Sequence, residues 1–253
     1  MKKMYTLLVL VLGGFLIAYA IYSKKTEGPI AINMVNPIIQ TISIATTTDY
    51  TIVTGSYPQF GDLPMDFNKK IAEVVGQAIV EHSENSRDNW NAEQNTTAST
   101  SATSTKPRPD ERFTLDIQST VVRNDTSAAS MIMYINGFSG GAHGYQNIMT
   151  FNYDRIHHQE ITVQNLSSGD IHFLDKLSIV SRTLLQKDLA TRASIPTNEV
   201  DHDMLNNGTA PLPINFSTFT LPNDHQAIFY FAPYQVAAWV YGDSKITVDL
   251  PLK

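Results

Sequence analysis

Four glycines surround a single histidine, His143, between two strand-like runs at residues 131–135 and 147–153. The glycines are Gly137, Gly140, Gly141 and Gly144. Glycine adopts positive φ and lets another backbone or a ligand approach closely, so the pattern predicts two strands joined by a loop of defined shape. The loop makes His143 the strongest single candidate for a functional side chain.

Strand-like runs separated by hairpin-type breaks account for much of the remaining chain. They span residues 112–122, 128–137, 147–153, 214–221, 226–231 and 245–250. Apolar residues recur at helical spacing over residues 67–79 and 173–189, which predicts two helices. Together these patterns predict an α+β fold with a mostly antiparallel sheet and two main helices, preceded by one N-terminal hydrophobic membrane segment.

The N-terminus predicts export from the cytoplasm. Lysines flank an apolar run at residues 7–22 on both sides. The length of the run approaches the ~20 residues that span a bilayer, which favours an uncleaved signal anchor. Alanines at small-x-small spacing near its end favour a cleaved signal peptide instead. We expect a single-pass protein of the cell membrane with its C-terminal body extracytoplasmic, or an exported protein if the segment is cleaved.

The charge balance and the absence of cysteine exclude several classes of protein. Of 18 basic and 24 acidic residues, four lysines and no acids lie in the first 25 positions, so residues 26–253 carry a formal charge of −10. An acidic body argues against nucleic acid as a partner and favours cationic partners. With no cysteine, disulfides, thiolate zinc sites and a cysteine nucleophile are excluded. No motif predicts a cofactor or a metal site.

An aromatic segment near the C-terminus supplies further candidate binding residues. Phe229 and Phe231 alternate as core residues of a strand do, whereas aromatic residues that follow them are open to a binding role. For His143 the alternative is a structural one, a turn histidine that donates to a backbone carbonyl. The predicted ligand-binding residues are Gly140, Gly141, His143, Gly144, Tyr145, Tyr234, Trp239 and Tyr241.

Signatures of common enzymes are missing from the sequence. It contains no Gly-x-Ser-x-Gly elbow, no His-Glu-x-x-His, no phosphate-binding glycine loop and no dinucleotide fingerprint. No catalytic residue is therefore predicted. Two alternatives stay open: an envelope hydrolase or transferase that uses His143 with an acidic partner such as Asp154, and a purely structural envelope protein.

Several segments together resemble a known family of paired extracytoplasmic domains. They are residues 57–58, the Gly-Gly-Ala-His-Gly loop at 140–144, residues 151–154, residues 173–174 and the Pro-Tyr…Gly ending at 233–242. The family occurs in the lysozyme-sensing anti-sigma factor RsiV and in the peptidoglycan deacetylase PdaC. The resemblance implies an α+β ectodomain that binds at the cell envelope, with lysozyme as the ligand in the sensor branch.

Two departures limit what the resemblance implies. Few residues precede the apolar run, so we expect no cytoplasmic segment that holds a sigma factor, and we expect no deacetylase domain after Lys253. The expected organisation is a signal anchor or signal peptide (1–25), a stalk (26–48), a PdaC-like subdomain with a Ser/Thr-rich disordered tail (49–106), and an RsiV-like subdomain (107–253). The expected function is a membrane-anchored, non-catalytic binding module for a cell-wall glycan or a lysozyme-like protein.

Overall fold

The structure is a computed structural model that describes residues 38–97 and 106–252. A six-stranded sheet forms the larger part of the molecule. Its strands lie side by side in chain order, and every neighbouring pair is antiparallel except β2 and β3, which are parallel. The strands are β1 Ile39–Thr47, β2 Thr51–Phe60, β3 Phe113–Asn124, β4 Ala128–Phe138, β5 Tyr145–Asp154 and β6 Gln159–Glu160. A parallel pair needs a long crossover, which helix α1, Met65–Thr97, provides.

Helix α1 covers one face of this sheet. Its apolar row, Phe67, Ile71 and Val75, is buried against side chains that alternate along the strands. The sheet contributes Val53, Leu115, Ile117, Met131, Met133, Ile135, Phe151 and Tyr153 to this core.

The C-terminal half builds a second, smaller layer. A three-stranded antiparallel sheet comprises β7 Phe219–Asn223, β8 Gln226–Phe231 and β9 Ser244–Asp249. Helix α2, Phe173–Ala193, and the short helix α3, His202–Gly208, complete the layer. The buried leucines of α2 join the buried phenylalanines of β7 and β8 in one core: Leu177, Leu185, Leu189, Phe219, Phe229 and Phe231.

A buried polar contact joins strand β7 to the face of the larger sheet opposite α1. The Asn152 amide donates to the Phe219 carbonyl oxygen at 2.8 Å. The Ser130 hydroxyl donates to Asn152 Oδ1 at 2.6 Å and accepts the Leu221 N–H at 2.9 Å. Side chains thereby satisfy backbone groups of β7 that no strand neighbour reaches, which holds the two layers together.

The structure confirms the predicted α+β class and the mostly antiparallel pairing. The predicted strands at 112–122, 128–137, 147–153 and 226–231 correspond to β3, β4, β5 and β8 within three residues at each end. Both main helices are present. Within the predicted stalk (26–48), residues Ile39–Thr47 form β1, the edge strand of the larger sheet.

Two local predictions are wrong, and one short helix was missed. Residues 91–97, predicted as part of a disordered loop, continue helix α1. Residues 214–216, predicted as the start of a strand at 214–221, belong instead to a 3-10 turn, Pro213–Phe216, that begins at a proline. Helix α3 was not predicted, although Asp201 caps it by accepting the N–H groups of Asp203 and Met204, each at 3.0 Å.

The predicted membrane segment, residues 7–22, lies outside the described residues. Within the described ranges, none of the helices combines the length and the apolar character that crossing a bilayer requires. The predicted subdomain boundary at residue 106 stays a prediction. Strands β2 and β3, which lie on either side of it, pair directly in one sheet.

Candidate functional site

The loop between β4 and β5 presents His143 at the surface. Gly140 and Gly141 take φ values of 101° and 87°, a region that favours glycine and lets the chain turn sharply. The exposed His143 places Nδ1 2.7 Å from the Gly144 carbonyl oxygen. A carbonyl can only accept, so this bond puts the proton on Nδ1 and leaves Nε2 free as an acceptor.

His143 forms an aromatic cluster with Trp239 and Tyr234. The imidazole stacks on the Trp239 indole with centroids 4.6 Å apart and planes 16° apart. The Tyr234 ring lies 6.0 Å from the indole, and its hydroxyl is 3.4 Å from His143 Nε2. Tyr234 reaches this position with a φ of 70°, unusual for a non-glycine residue, in a turn closed by its N–H bond to Ala237 O at 3.0 Å. The turn therefore fixes an aromatic side chain that is 54% exposed.

A groove of about 730 Å³ adjoins the aromatic cluster. Alternating side chains of β3, β4 and β5 form its polar floor on the face opposite α1. Phe138, Pro233, Trp239 and Val240 contribute apolar walls, and Asp243 adds a carboxylate. The floor residues are Thr114, Asp116, Asn136 and Gln146.

Hydrogen bonds orient the polar floor before any ligand binds. Gln146 Nε2 donates to Asn136 Oδ1 at 3.0 Å. The Asp116 carboxylate accepts from Gln118 at 2.6 Å and from Thr54 at 3.2 Å. Gln146 Oε1 is buried and, among the described residues, has no hydrogen-bond partner. The floor therefore offers a fixed carboxylate, and an amide oxygen that lacks a partner among the described residues lies buried beneath it.

Tyr145 supports the loop from the α1 side of the sheet. Its hydroxyl lies 3.0 Å from Nδ1 of His82, which is fully buried on α1. A Cβ on Gly137 would come within 2.2 Å of the Tyr145 ring, so glycine makes the space that the ring occupies. Burial lowers the pKa of His82, and burial followed by the charge of Glu81 raises the pKa of Tyr145. Both groups are neutral near pH 7, and one hydrogen bond joins the tyrosine hydroxyl to the imidazole, whose tautomer sets which of the two donates.

The structure brings most of the predicted site residues together. His143, Tyr234 and Trp239 meet directly, and Gly140, Gly141 and Gly144 shape the loop that carries the histidine. Tyr145 both lines the groove and anchors the loop. Tyr241 lies elsewhere: it packs against the C-terminal core and makes no ring contact with the cluster among the described residues.

The suggested pairing of His143 with Asp154 is wrong. Asp154 lies at the opposite end of β5 from the loop, about 30 Å along the strand at the usual rise per residue. Its carboxylate is 2.6 Å from His157 Nδ1 instead. Among the described residues, no group of three or more histidine, aspartate and glutamate side chains is placed to hold a metal ion.

Sequence reasoning missed the groove floor. Asp116 and Asn136 lie between buried residues of their strands, and this alternation was the available signal. Gln146 carries no such signal, because its neighbours are the half-buried Tyr145 and the exposed Asn147. The sequence did not show that the three positions lie at the same end of the sheet. That follows only from the register, in which Asp116 pairs with Asn136 and Asn136 with Gln146.

His82 makes stability depend on pH in a definite direction. Its folded-state pKa is lower than its unfolded value of about 6.5, so the unfolded chain binds the proton more readily. We expect full stability above that pH and a decrease in the free energy of unfolding as the pH falls from about 6.5 towards 5. Urea unfolding across this range would measure it. His82→Gln keeps a hydrogen-bonding side chain without the titration, and equal pH slopes for variant and wild type would refute the assignment.

Comparison with known proteins finds a family model that matches the C-terminal third of the chain. Residues 166–251 match the family model described as protein of unknown function (DUF3298). The peptidoglycan-N-acetylmuramic acid deacetylase PdaC of Bacillus subtilis (strain 168) is 30% identical over 142 residues. The match covers 56% of this chain but only 29% of PdaC, so the chain spans less than a third of that relative.

Crystal structures of two DUF3298 family members are among the structural matches. The member from Bacteroides fragilis NCTC 9343 has a TM-score of 0.50 at 17% identity, covering 84% of this chain and 90% of its own. The member from Pseudomonas aeruginosa PAO1 has a TM-score of 0.48 at 14% identity, covering 85% and 93%. The first similarity concerns the fold alone. By sequence, residues 166–251 are similar to the DUF3298 family model, and 56% of this chain is similar to part of PdaC.

Proposed function

We propose that this protein is a non-catalytic binding module for a cell-wall glycan of the peptidoglycan type. One observation carries the proposal: the stacked His143–Trp239 pair and the exposed Tyr234 ring adjoin a groove with a polar floor. A sugar ring has apolar C–H faces and a rim of hydroxyl and amide groups. Aromatic rings match the faces, and carboxamides and carboxylates match the rim.

The groove has the size and chemistry for a short glycan segment. Its volume of about 730 Å³ falls within the ~300–1,000 Å³ typical of small-molecule sites. Gln146 Oε1 is a buried acceptor without a partner among the described residues, a state that costs roughly 1–3 kcal/mol. If the Gln146 amide turns towards the groove, an N-acetyl N–H or a hydroxyl of the glycan would satisfy it. The Asp116 carboxylate would accept a second hydroxyl.

The proposed location is the outer face of the cell membrane, with residues 7–22 as the anchor. The printed name of PdaC describes action on peptidoglycan, which supports a wall ligand for the part of that protein that this chain resembles. Catalysis is not part of the proposal. The side-chain contacts of His143 are with Tyr234 and Trp239, and the acid suggested as its partner lies elsewhere.

A lysozyme-like protein is the second candidate ligand. The formal charge of −10 on residues 26–253 favours a cationic partner, which such a protein would be. Charge attraction alone is screened by salt, whereas a fitted interface retains affinity at physiological ionic strength.

Calorimetric titration distinguishes these ligands. The full chain in a mild detergent is titrated with soluble peptidoglycan fragments and separately with lysozyme, each at low and at physiological salt. We expect the fragments to bind at both salt concentrations. Salt-resistant binding of lysozyme without binding of the fragments would favour the second candidate. Binding of neither would leave a purely structural role.

His143→Ala tests whether the aromatic cluster is the site. We expect about 3- to 10-fold weaker binding of the fragments, since one stacking ring is lost, with the melting temperature unchanged because the side chain is exposed. His143→Phe keeps a ring that can stack on Trp239 and should retain most of the affinity. Unfolding of both variants would instead support a structural role for His143.

A further inference from the structure

Strand β1 ends the six-stranded sheet with an edge that is open among the described residues. The register fixes which backbone groups face it: Ile38 O accepts from the Gly61 N–H, and the Thr48 N–H donates to Thr51 O. In an antiparallel pair the bonded positions alternate, so the backbone N–H and C=O groups of even-numbered residues of β1 bond to β2. The backbone N–H and C=O groups of odd-numbered residues point away from β2, towards the open edge. The outward residues are Ile39, Thr41, Ser43, Ala45 and Thr47.

This edge lacks the features that normally prevent pairing with another chain. Proteins protect edge strands with charged residues, prolines or bulges, or keep them short. Strand β1 has nine residues, no charge and no proline, and pairs with β2 without a register shift. Most of its residues are exposed. The other edge strand, β6, has two residues.

We propose that β1 pairs with β1 of a second copy, antiparallel and about a twofold axis at Ser43, so that the two six-stranded sheets become continuous. In this register Ser43 lies opposite its counterpart, Thr41 opposite Ala45, and Ile39 opposite Thr47. All three pairs join outward-pointing residues. Every free N–H and C=O of the strand therefore gains a partner, which is the usual basis of strand addition at an edge.

The apolar face of β1 also fits a second copy. Ile44 packs partly against the core under α1, and Ile42 lies on the same face at the next even position. In the proposed register Ile42 lies opposite Ile44 of the second copy, with Cβ atoms about 4.5–5.5 Å apart. The half-exposed isoleucines would then extend the row of apolar side chains across the axis.

Electrostatics favour contact between the β1 strands of two copies, although each copy carries an acidic net charge. Residues 28–48 contain no charged side chain. The next acid along the chain, Asp49, is ion-paired with Lys106 at 2.6 Å. Pairing through β1 therefore opposes no like charges, which would destabilise other cross-strand contacts. The glycan groove lies on β3–β5 and residues 233–243 and plays no part in the pairing.

Cysteine cross-linking tests the pairing, since the natural chain has no cysteine. Opposed residues of a bonded pair have Cα atoms about 5.5 Å apart, within the range that a disulfide spans. Full-length Ser43→Cys in a mild detergent should oxidise to a covalent dimer at least about 10-fold faster than Ser217→Cys, an exposed serine elsewhere. Chains with Ile39→Cys and with Thr47→Cys should cross-link when mixed and poorly when alone.

Sedimentation of the wild type supplies the decisive comparison. We expect a dimer, and the variant Thr41→Lys with Ala45→Lys should be a monomer with an unchanged melting temperature. A monomeric wild type in which the two serine-to-cysteine variants react at equal rates overturns the proposal. Protection of the β1 amides from hydrogen exchange in such a monomer would show that another segment of the chain covers the edge.

Discussion

Replacing Trp239 with alanine is expected to weaken binding of peptidoglycan fragments by about 30- to 100-fold, equivalent to roughly 2–3 kcal/mol. The indole is the centre of the aromatic cluster, since it contacts both the His143 and the Tyr234 rings and also forms a wall of the groove. Its loss removes a stacking surface and leaves His143 without the ring that orients it. Calorimetric titration measures the change.

Two further variants separate stacking from a general loss of apolar surface. Trp239→Phe retains an aromatic ring and should lose less than about 10-fold in affinity. Ile171→Ala removes a side chain that is 88% exposed and absent from the groove lining, and should bind as the wild type does. Equal affinities of Trp239→Ala and the wild type would remove the groove from consideration as the binding site.

Asn152→Leu is expected to reduce the free energy of unfolding by about 3 kcal/mol. The amide donates to the Phe219 carbonyl and accepts from the Ser130 hydroxyl, which itself accepts the Leu221 N–H. A leucine of similar volume leaves the buried carbonyl unsatisfied and the serine without its acceptor, at roughly 1–3 kcal/mol for each group. Since this contact joins the two layers, we expect a fall in melting temperature of about 6–12 °C.

Asn147→Leu is the matched control, the same substitution on the same strand at an exposed position. It should change the free energy of unfolding by no more than about 0.5 kcal/mol, as surface substitutions usually do. If both leucine variants melt at the wild-type temperature, the hydrogen bonds between Asn152, Ser130 and β7 do not hold the layers together.

The sequence predicted the strands well where one face of the strand is buried and a short turn links it to its neighbour in the sheet. In β4 and β5 the four glycines and the hydrophobic runs identify a hairpin that the register confirms. The parallel pairing of β2 with β3 was not predictable in the same way, because α1 and the segment after it separate these strands in the chain. Helical spacing marked the apolar start of α1, whereas residues 91–97 are polar and carry no such signal.

The sequence predicted the aromatic residues of the candidate site but not the polar residues of the groove floor. His143 and Trp239 stood out by composition, and the fold brings them together from separate sheets. Tyr241 looked equivalent to Tyr234, but in an irregular segment neither the helical nor the strand period tells which ring turns inward. The positive φ of Tyr234 decides this, and sequence does not reveal it. Gln146 acquires its role only through strand register.

The fluorescence of Trp239 during titration with peptidoglycan fragments tests the central proposal most directly. The chain has two tryptophans, and Trp90→Phe leaves Trp239 as the single indole. Trp90 is buried, and no hydrogen bond to its indole N–H forms within the described part of the chain, so phenylalanine keeps an aromatic ring there without removing a hydrogen bond. We predict a saturable blue shift of Trp239 emission with the affinity found by calorimetry, because a stacked sugar displaces water from the ring. Calorimetric binding without any change in this emission would contradict the proposed site.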